Sequence, residues 1–216
     1  MEQTKLTGIV LESSPIGDYD RRVVLLTKER GRISAFARGA RRQTSPLLGS
    51  TVPFCFGDFY VYEGRTSNNL RQADIQNYFV ELRSDLEAVS YGFYFLELAQ
   101  YYTREYNDEL LTLKLLYQSL RALTIPSLDR RLVRTIYEWK MLAVNGEDPD
   151  PEKMNLDPTV SYTLRYIAAS AIEKLYTFTV SEEVLTGLER VVGNYFKNHI
   201  DRKFRTLEVL EDMERS

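Results

Sequence analysis

Residues 21–42 gather Arg21, Arg22, Lys28, Arg30, Arg32, Arg38, Arg41 and Arg42 against a single carboxylate, Glu29. Eight like charges in 22 residues repel one another unless salt or an anionic surface relieves them. Three kinds of chemistry suit such a cluster: a solvated strand edge, a socket for an acidic protein, or a track for a nucleic-acid backbone. The stretch GRISAFARGARRQTS, residues 31–45, bears on the choice. If residues 32–38 form a strand, side chains alternate between its faces. Ile33, Ala35 and Ala37 then point inward, and Arg32, Ser34, Phe36 and Arg38 share the outer face. Guanidinium groups interleaved with an exposed ring suit a single strand, where charge follows phosphates and the ring stacks on a base. Gly39 can adopt a backbone conformation closed to other residues, which lets Ala40, Arg41 and Arg42 curl alongside a strand.

Other reactive groups are sparse. One cysteine, Cys55, sits between Phe54 and Phe56, the setting of a buried small hydrophobe rather than a nucleophile. With one histidine, His199, no zinc site of the usual Cys/His kind can be assembled. No phosphate loop, nucleophile elbow or metal triad is present, so an enzyme is disfavoured. Asp18, Asp20 and Asp58 could in form serve a metal-dependent nuclease, although Asp18 and Asp20 read better as turn residues.

The elements that position these groups fall into two halves. The chain has 216 residues and a formal net charge of -3. Residues 1–80 hold 11 Lys+Arg against 8 Asp+Glu, and residues 81–216 hold 17 against 23, a split that points to polyanion binding by the first half. That half has strand character over Lys5–Leu11, Arg22–Thr27, Arg32–Arg38, Phe54–Tyr62 and Leu70–Val80, separated by SSPIGD, KERG, Pro46–Gly49 and GRTSNN. Five strands in this span predict a small closed or partly closed barrel.

From residue 81 onward the period is helical. Leu86, Val89, Phe93, Leu96 and Tyr101 are expected to share one helical stripe, and most tyrosines of this helix to be core or helix-packing residues whose hydroxyls reach the surface. Further helices are expected over Asp108–Leu123, Leu128–Val144, Thr159–Phe178, Glu182–Asn198 and Arg202–Met213. Ser127 and Asp129, Asp157–Pro158, and Thr179 with Glu182 supply start signals. The fold class is thus α+β: a barrel over residues 1–80 and an all-helical domain over 81–216. The charged opening MEQTKLTGIV is unlike a signal peptide, and no run approaches the roughly 18 apolar residues of a membrane span. A cytoplasmic protein is expected.

The order of these landmarks resembles the RecO family of bacterial recombination mediators. GIVLESSPIGDYDRRVVLLTKERGRISAFARGARRQTSPLLGSTVPF is similar to the family's opening barrel, with its Gly-acidic-x-Asp-Arg turn, Gly-Arg hairpin and Gly-Ala-Arg-Arg run. ELRSDLEAVSYGFYFLELAQYY, YEWKMLAVNGEDPD and FKNHIDRKFRTLEVL are similar to its later landmarks. The resemblance implies an oligonucleotide-binding (OB) barrel, no catalytic centre, and binding of single- and double-stranded DNA. It also implies strand annealing and work with RecR, RecA, the single-strand-binding protein (SSB) and RecF in DNA repair.

Arg21, Arg32, Arg38, Arg41 and Arg42 match the family's basic surface. Many members carry a four-cysteine zinc site after the region matching VNGEDPD; here PEKMNLDPTVSY follows, which implies no zinc and a loop held by packing and by the Asp157–Pro158 cap. Thr44 and Pro46 stand where the family often has basic residues, which implies either weaker DNA affinity or more weight on Lys28 and Arg30. The acidic SSB tail is expected to need a hydrophobic pocket with a basic rim, and Arg130, Arg131 and Arg134 on the third helix are the candidates for that rim. A protein-only adaptor whose basic face docks an acidic partner is the alternative reading.

Overall fold

The computed structural model describes residues 3–64 and 67–214. Five strands, β1 (Gln3–Ile16), β2 (Asp20–Thr27), β3 (Gly31–Ala37), β4 (Phe56–Glu63) and β5 (Asn68–Asn77), close into a barrel in the order β1-β2-β3-β5-β4. This is the OB fold. All pairings are antiparallel except β3 with β5, which is parallel and joins only Ala35–Asn68, Phe36–Asn69 and Ala37–Leu70. Alternation fills the interior with Leu6, Val23, Leu25, Ile33, Ala35, Ala37, Phe59, Val61 and Leu70. Where β1 crosses closest to its neighbour, only Gly8 fits: a Cβ there would lie 2.2 Å from the Leu26 carbonyl oxygen. Cys55 is wholly buried in this core, as its flanking rings indicate.

Strand β1 runs further than the SSPIGD signal predicts. Ser13, Ser14 and Pro15 pair with β2, and the chain turns only at Gly17–Tyr19. Pro15 is tolerated because β4 pairs with β1 over Gln3–Ile9 alone, so the other edge of β1 asks for no strand donor at residue 15. Arg65 and Thr66 of the GRTSNN turn lie outside the described residues.

Seven helices follow among the described residues: α1 (Val80–Arg83), α2 (Leu86–Tyr102), α3 (Leu110–Ala122), α4 (Arg130–Val144), α5 (Pro158–Ala169), α6 (Glu182–His199) and α7 (Arg205–Glu214). The chain divides into two compact units, Met1–Val80 with Leu96–Leu113, and Glu81–Phe95 with Lys114–Ser216.

The expected stripe on α2 is corrected. Leu86 is 74% and Phe93 41% exposed, while Ala88, Tyr91, Tyr94, Phe95 and Leu98 are buried. A helix apolar nearly all round cannot reveal its buried face by period. Tyr91 and Tyr94 are fully buried, so their hydroxyls do not reach the surface; that of Tyr94 donates to Glu138 at 2.7 Å.

The long helix expected over Thr159–Phe178 ends at Ala169. The ammonium of Lys140, on α4, donates to the carbonyls of Ala168 and Ser170 at 2.6 and 2.8 Å. A cation bound to the last carbonyls stabilises a helix end, and residues 172–174 then form a separate 3-10 turn. Burial disfavours the charged ammonium and lowers the Lys140 pKa. Helix α6 is capped by Ser181, which accepts from Val184 N, not by the Thr179–Glu182 pairing. Asp129 and Asp157 cap α4 and α5 as their positions predict.

Candidate nucleic-acid interface

The faces of β3 alternate as its sequence predicts: Ile33, Ala35 and Ala37 are buried, and Phe36 is 37% exposed. Directly paired residues on neighbouring strands share a face. Arg22 pairs with Phe36, Phe36 with Asn69, and Asn69 with Tyr62. These four residues therefore form one belt across β2, β3, β5 and β4 on the outside of the barrel. Arg38 and Arg71 lie two residues beyond Phe36 and Asn69. With Tyr62 and Asn69 they line an open hollow of about 640 Å³.

A second group of cations sits beside this belt. Gly39, at φ 67°, turns the chain after Arg38, and its N–H donates to Asp20 Oδ1 at 2.7 Å. The N–H of Arg41 donates to Tyr19 O at 2.8 Å, and its guanidinium to Gly17 O at 3.0 Å. The Arg42 guanidinium lies 5.0 Å from the centroid of the Tyr19 ring. Residues 38–42 are thus lashed onto the β1–β2 turn, with Ala40 buried as the peg. Asp20 is the first residue of β2, paired with Ile16, and is not part of the β1–β2 turn that its sequence setting predicts.

The remaining cations of residues 21–42 differ in their engagement. Arg21 points away from Arg22, donating to Leu48 O at 3.1 Å and Thr51 Oγ1 at 3.0 Å. Arg30 pairs with Glu63 and reaches Thr4, and Arg32 donates to the Gln100 carbonyl. These three are partly buried, whereas Arg22, Lys28, Arg38, Arg41, Arg42 and Arg71 are exposed. Among the described residues, no carboxylate lies within ion-pair distance of any of those six. Sequence reasoning missed Tyr62, Asn69 and Arg71. The signal was present in NNLRQ, since an inward Leu70 places Asn69 and Arg71 outward.

A family model described as Recombination protein O N terminal matches residues 1–79, and one described as Recombination protein O C terminal matches residues 83–153 and 145–208. The chain belongs to the RecO family. It is 24% identical to the DNA repair protein RecO of Acetivibrio thermocellus over 248 aligned positions, covering 100% of this chain and 99% of the relative. It is 36% identical to that of Desulforudis audaxviator over 150 positions, covering 69% and 59%, and 26% identical to that of Bacillus pumilus, covering 97% and 94%. As a RecO family member it is a DNA repair protein.

The helical match to RecO comes in two pieces that meet at the loop between α4 and α5. In this chain the loop is held by its own caps and contacts. Asp150 accepts from Glu152 N, Asp157 from Thr159 N and Val160 N, and the Tyr195 hydroxyl donates to Glu147 O at 2.7 Å.

The three arginines expected to rim a pocket on α4 are each held by carboxylates. Arg130 pairs with Asp85 and Glu87, Arg131 with Glu182 and Glu189, and Arg134 with Glu138 at 2.9 Å. Hydrogen bonds donated to Glu189 and Glu182 push the Arg131 pKa up. Arg134 lines a hollow of about 550 Å³ with Glu138, Phe196, Ile200 and Phe204, and Arg130 and Arg131 are not among its lining residues.

The carboxylates of the nuclease alternative do not converge. Asp20 pairs with Ile16 and Asp58 with Thr7, nine residues apart along β1, or about 30 Å of strand path. Asp58 accepts from Thr7 at 2.8 Å and pairs with Lys5 at 2.9 Å. The hydrogen bond from Lys5 holds its pKa below the usual carboxylate range. Among the described residues no group of three or more His, Cys, Asp or Glu is placed to hold a metal.

Proposed function

We propose that this RecO family member binds single- and double-stranded DNA along the outer belt of its barrel and anneals complementary strands. In the cytoplasm it would act with RecR to load RecA onto SSB-coated DNA, with RecF as an accessory partner. The observation that carries this reading is the set of exposed cations Arg22, Arg38, Arg41, Arg42 and Arg71, none neutralised by a carboxylate among the described residues. A polyphosphate backbone supplies the missing negative charge and releases counterions as it binds. Phe36 and Tyr62, at 37% exposed and half-buried, add ring faces to that charge. The SSB tail belongs to this reading without an assigned site.

Titration of a fluorescent oligonucleotide at several salt concentrations tests the proposal. Replacing Arg38, Arg41 and Arg42 with Ala weakens binding similarly for unrelated sequences. It also flattens the log-log salt slope by about 2 for single strands and about 2.7 for duplex, at roughly 0.7 and 0.9 per phosphate contact. Unchanged affinity and slope would place the ligand elsewhere and favour an adaptor that docks an acidic protein.

A further inference from the structure

The geometry points to the hollow between Arg38, Tyr62, Asn69 and Arg71 as a pocket for one unstacked DNA base, which gives the barrel a preference for single strands over duplex. This inference rests on the DNA reading above and concerns what the surface distinguishes. Backbone phosphates need cations only, yet the hollow holds two further kinds of group.

The first is the amide of Asn69. Its neighbour Asn68 has a structural task, donating to Ser34 O at 3.1 Å. Among the described residues the Asn69 side chain has no hydrogen-bond partner, although it is half-buried and central in the belt. An amide offers a donor beside an acceptor, the pattern that matches the edge of a base.

The second is aromatic. Asn69 is flanked across the strands by Tyr62 on one side and Phe36 on the other, so rings border the amide from both directions. A base has a face for a ring and an edge for an amide, and a phosphate has neither. Arg38 and Arg71, facing the same hollow, hold the phosphates on either side of the inserted nucleotide. The volume, about 640 Å³, falls among small-ligand pockets of roughly 300–1,000 Å³. Bases in a duplex have their faces covered by stacking and must be unstacked to enter, so the pocket discriminates against them.

Fluorescence anisotropy at one salt concentration, with three probes of equal length, tests this. The probes are oligo-dT, the same oligonucleotide with abasic sites, and a duplex. The abasic strand keeps its phosphates and lacks the faces. Wild-type protein binds oligo-dT about tenfold tighter than the abasic strand, within the range for one stacked base. Tyr62→Leu abolishes that ratio, Tyr62→Phe preserves it, and Asn69→Ala reduces it severalfold; thermal unfolding checks that each variant is folded. Equal wild-type affinity for oligo-dT and the abasic strand overturns the inference, as does a full base-dependent ratio in Tyr62→Leu. Either result leaves the DNA reading standing if the triple arginine variant loses affinity for all three probes. A wild-type protein that binds none of the probes sinks the DNA reading itself.

Discussion

Arg38 and Arg134 carry the same guanidinium group in opposite surroundings. On the barrel, Arg38 lines an open hollow together with Arg71, Tyr62 and Asn69. On α4, Arg134 is inserted over the Tyr94 ring, 5.6 Å from its centroid, and bonds a carboxylate only 6% exposed. Glu138 receives Arg134 Nε at 2.9 Å and the Tyr94 hydroxyl at 2.7 Å, while burial drives the tyrosine pKa far up. The belt around Arg38 leaves its cations without a carboxylate among the described residues, and α4 uses its arginines to neutralise and pin nearby acids. Abundance of arginine therefore distinguishes neither region; the nearest carboxylate does.

The strongest way to break this comparison is to truncate both residues. Arg134→Ala leaves a buried carboxylate without its cation and is expected to destabilise the protein by about 3–5 kcal/mol, read as a lowered urea midpoint. Arg38→Ala is expected to change stability by no more than about 0.5 kcal/mol. A comparable shift for both would mean that Arg38 is also structural.

A smaller effect sharpens the helical side. Asp85 caps α2, accepting from Ala88 N at 3.0 Å, and pairs with Arg130. Asp85→Ala is expected to cost about 1 kcal/mol through the lost cap. The bond from Ala88 N, followed by that from Arg130, lowers the Asp85 pKa in the folded state. Its contribution is thus present above the ordinary value near 3.8 and fades as pH falls through the lower folded value. Acid titration of wild type against Asp85→Asn checks the sign: the gap between them narrows below pH ~4.

Much of the barrel was legible because strand alternation is local. Ile33, Ala35 and Ala37 announce an inner face, and Gly39 announces a turn. The belt was not, because the parallel seam of β3 and β5 joins residues more than thirty positions apart, and no local pattern says that Phe36 lies beside Asn69. The end of α5 was hidden for the same reason, since the cation that binds its last carbonyls comes from α4. Nor could spacing separate Arg130, Arg131 and Arg134 from a binding surface, because the acids that hold them come mostly from α6 and from residues 85 and 87.

The parallel seam has a mechanical consequence. Three registered pairs stitch β3 to β5, against eight between β1 and β2. A closed cylinder opens first at its shortest stitch, so the amides bonded across the β3–β5 seam exchange with deuterium ahead of those in the β1–β2 hairpin. On the proposed DNA reading, an oligonucleotide lying over Phe36, Asn69 and Tyr62 would straddle that line as a splint, and the expected outcome is that added DNA slows exchange at the seam more than anywhere else in the barrel.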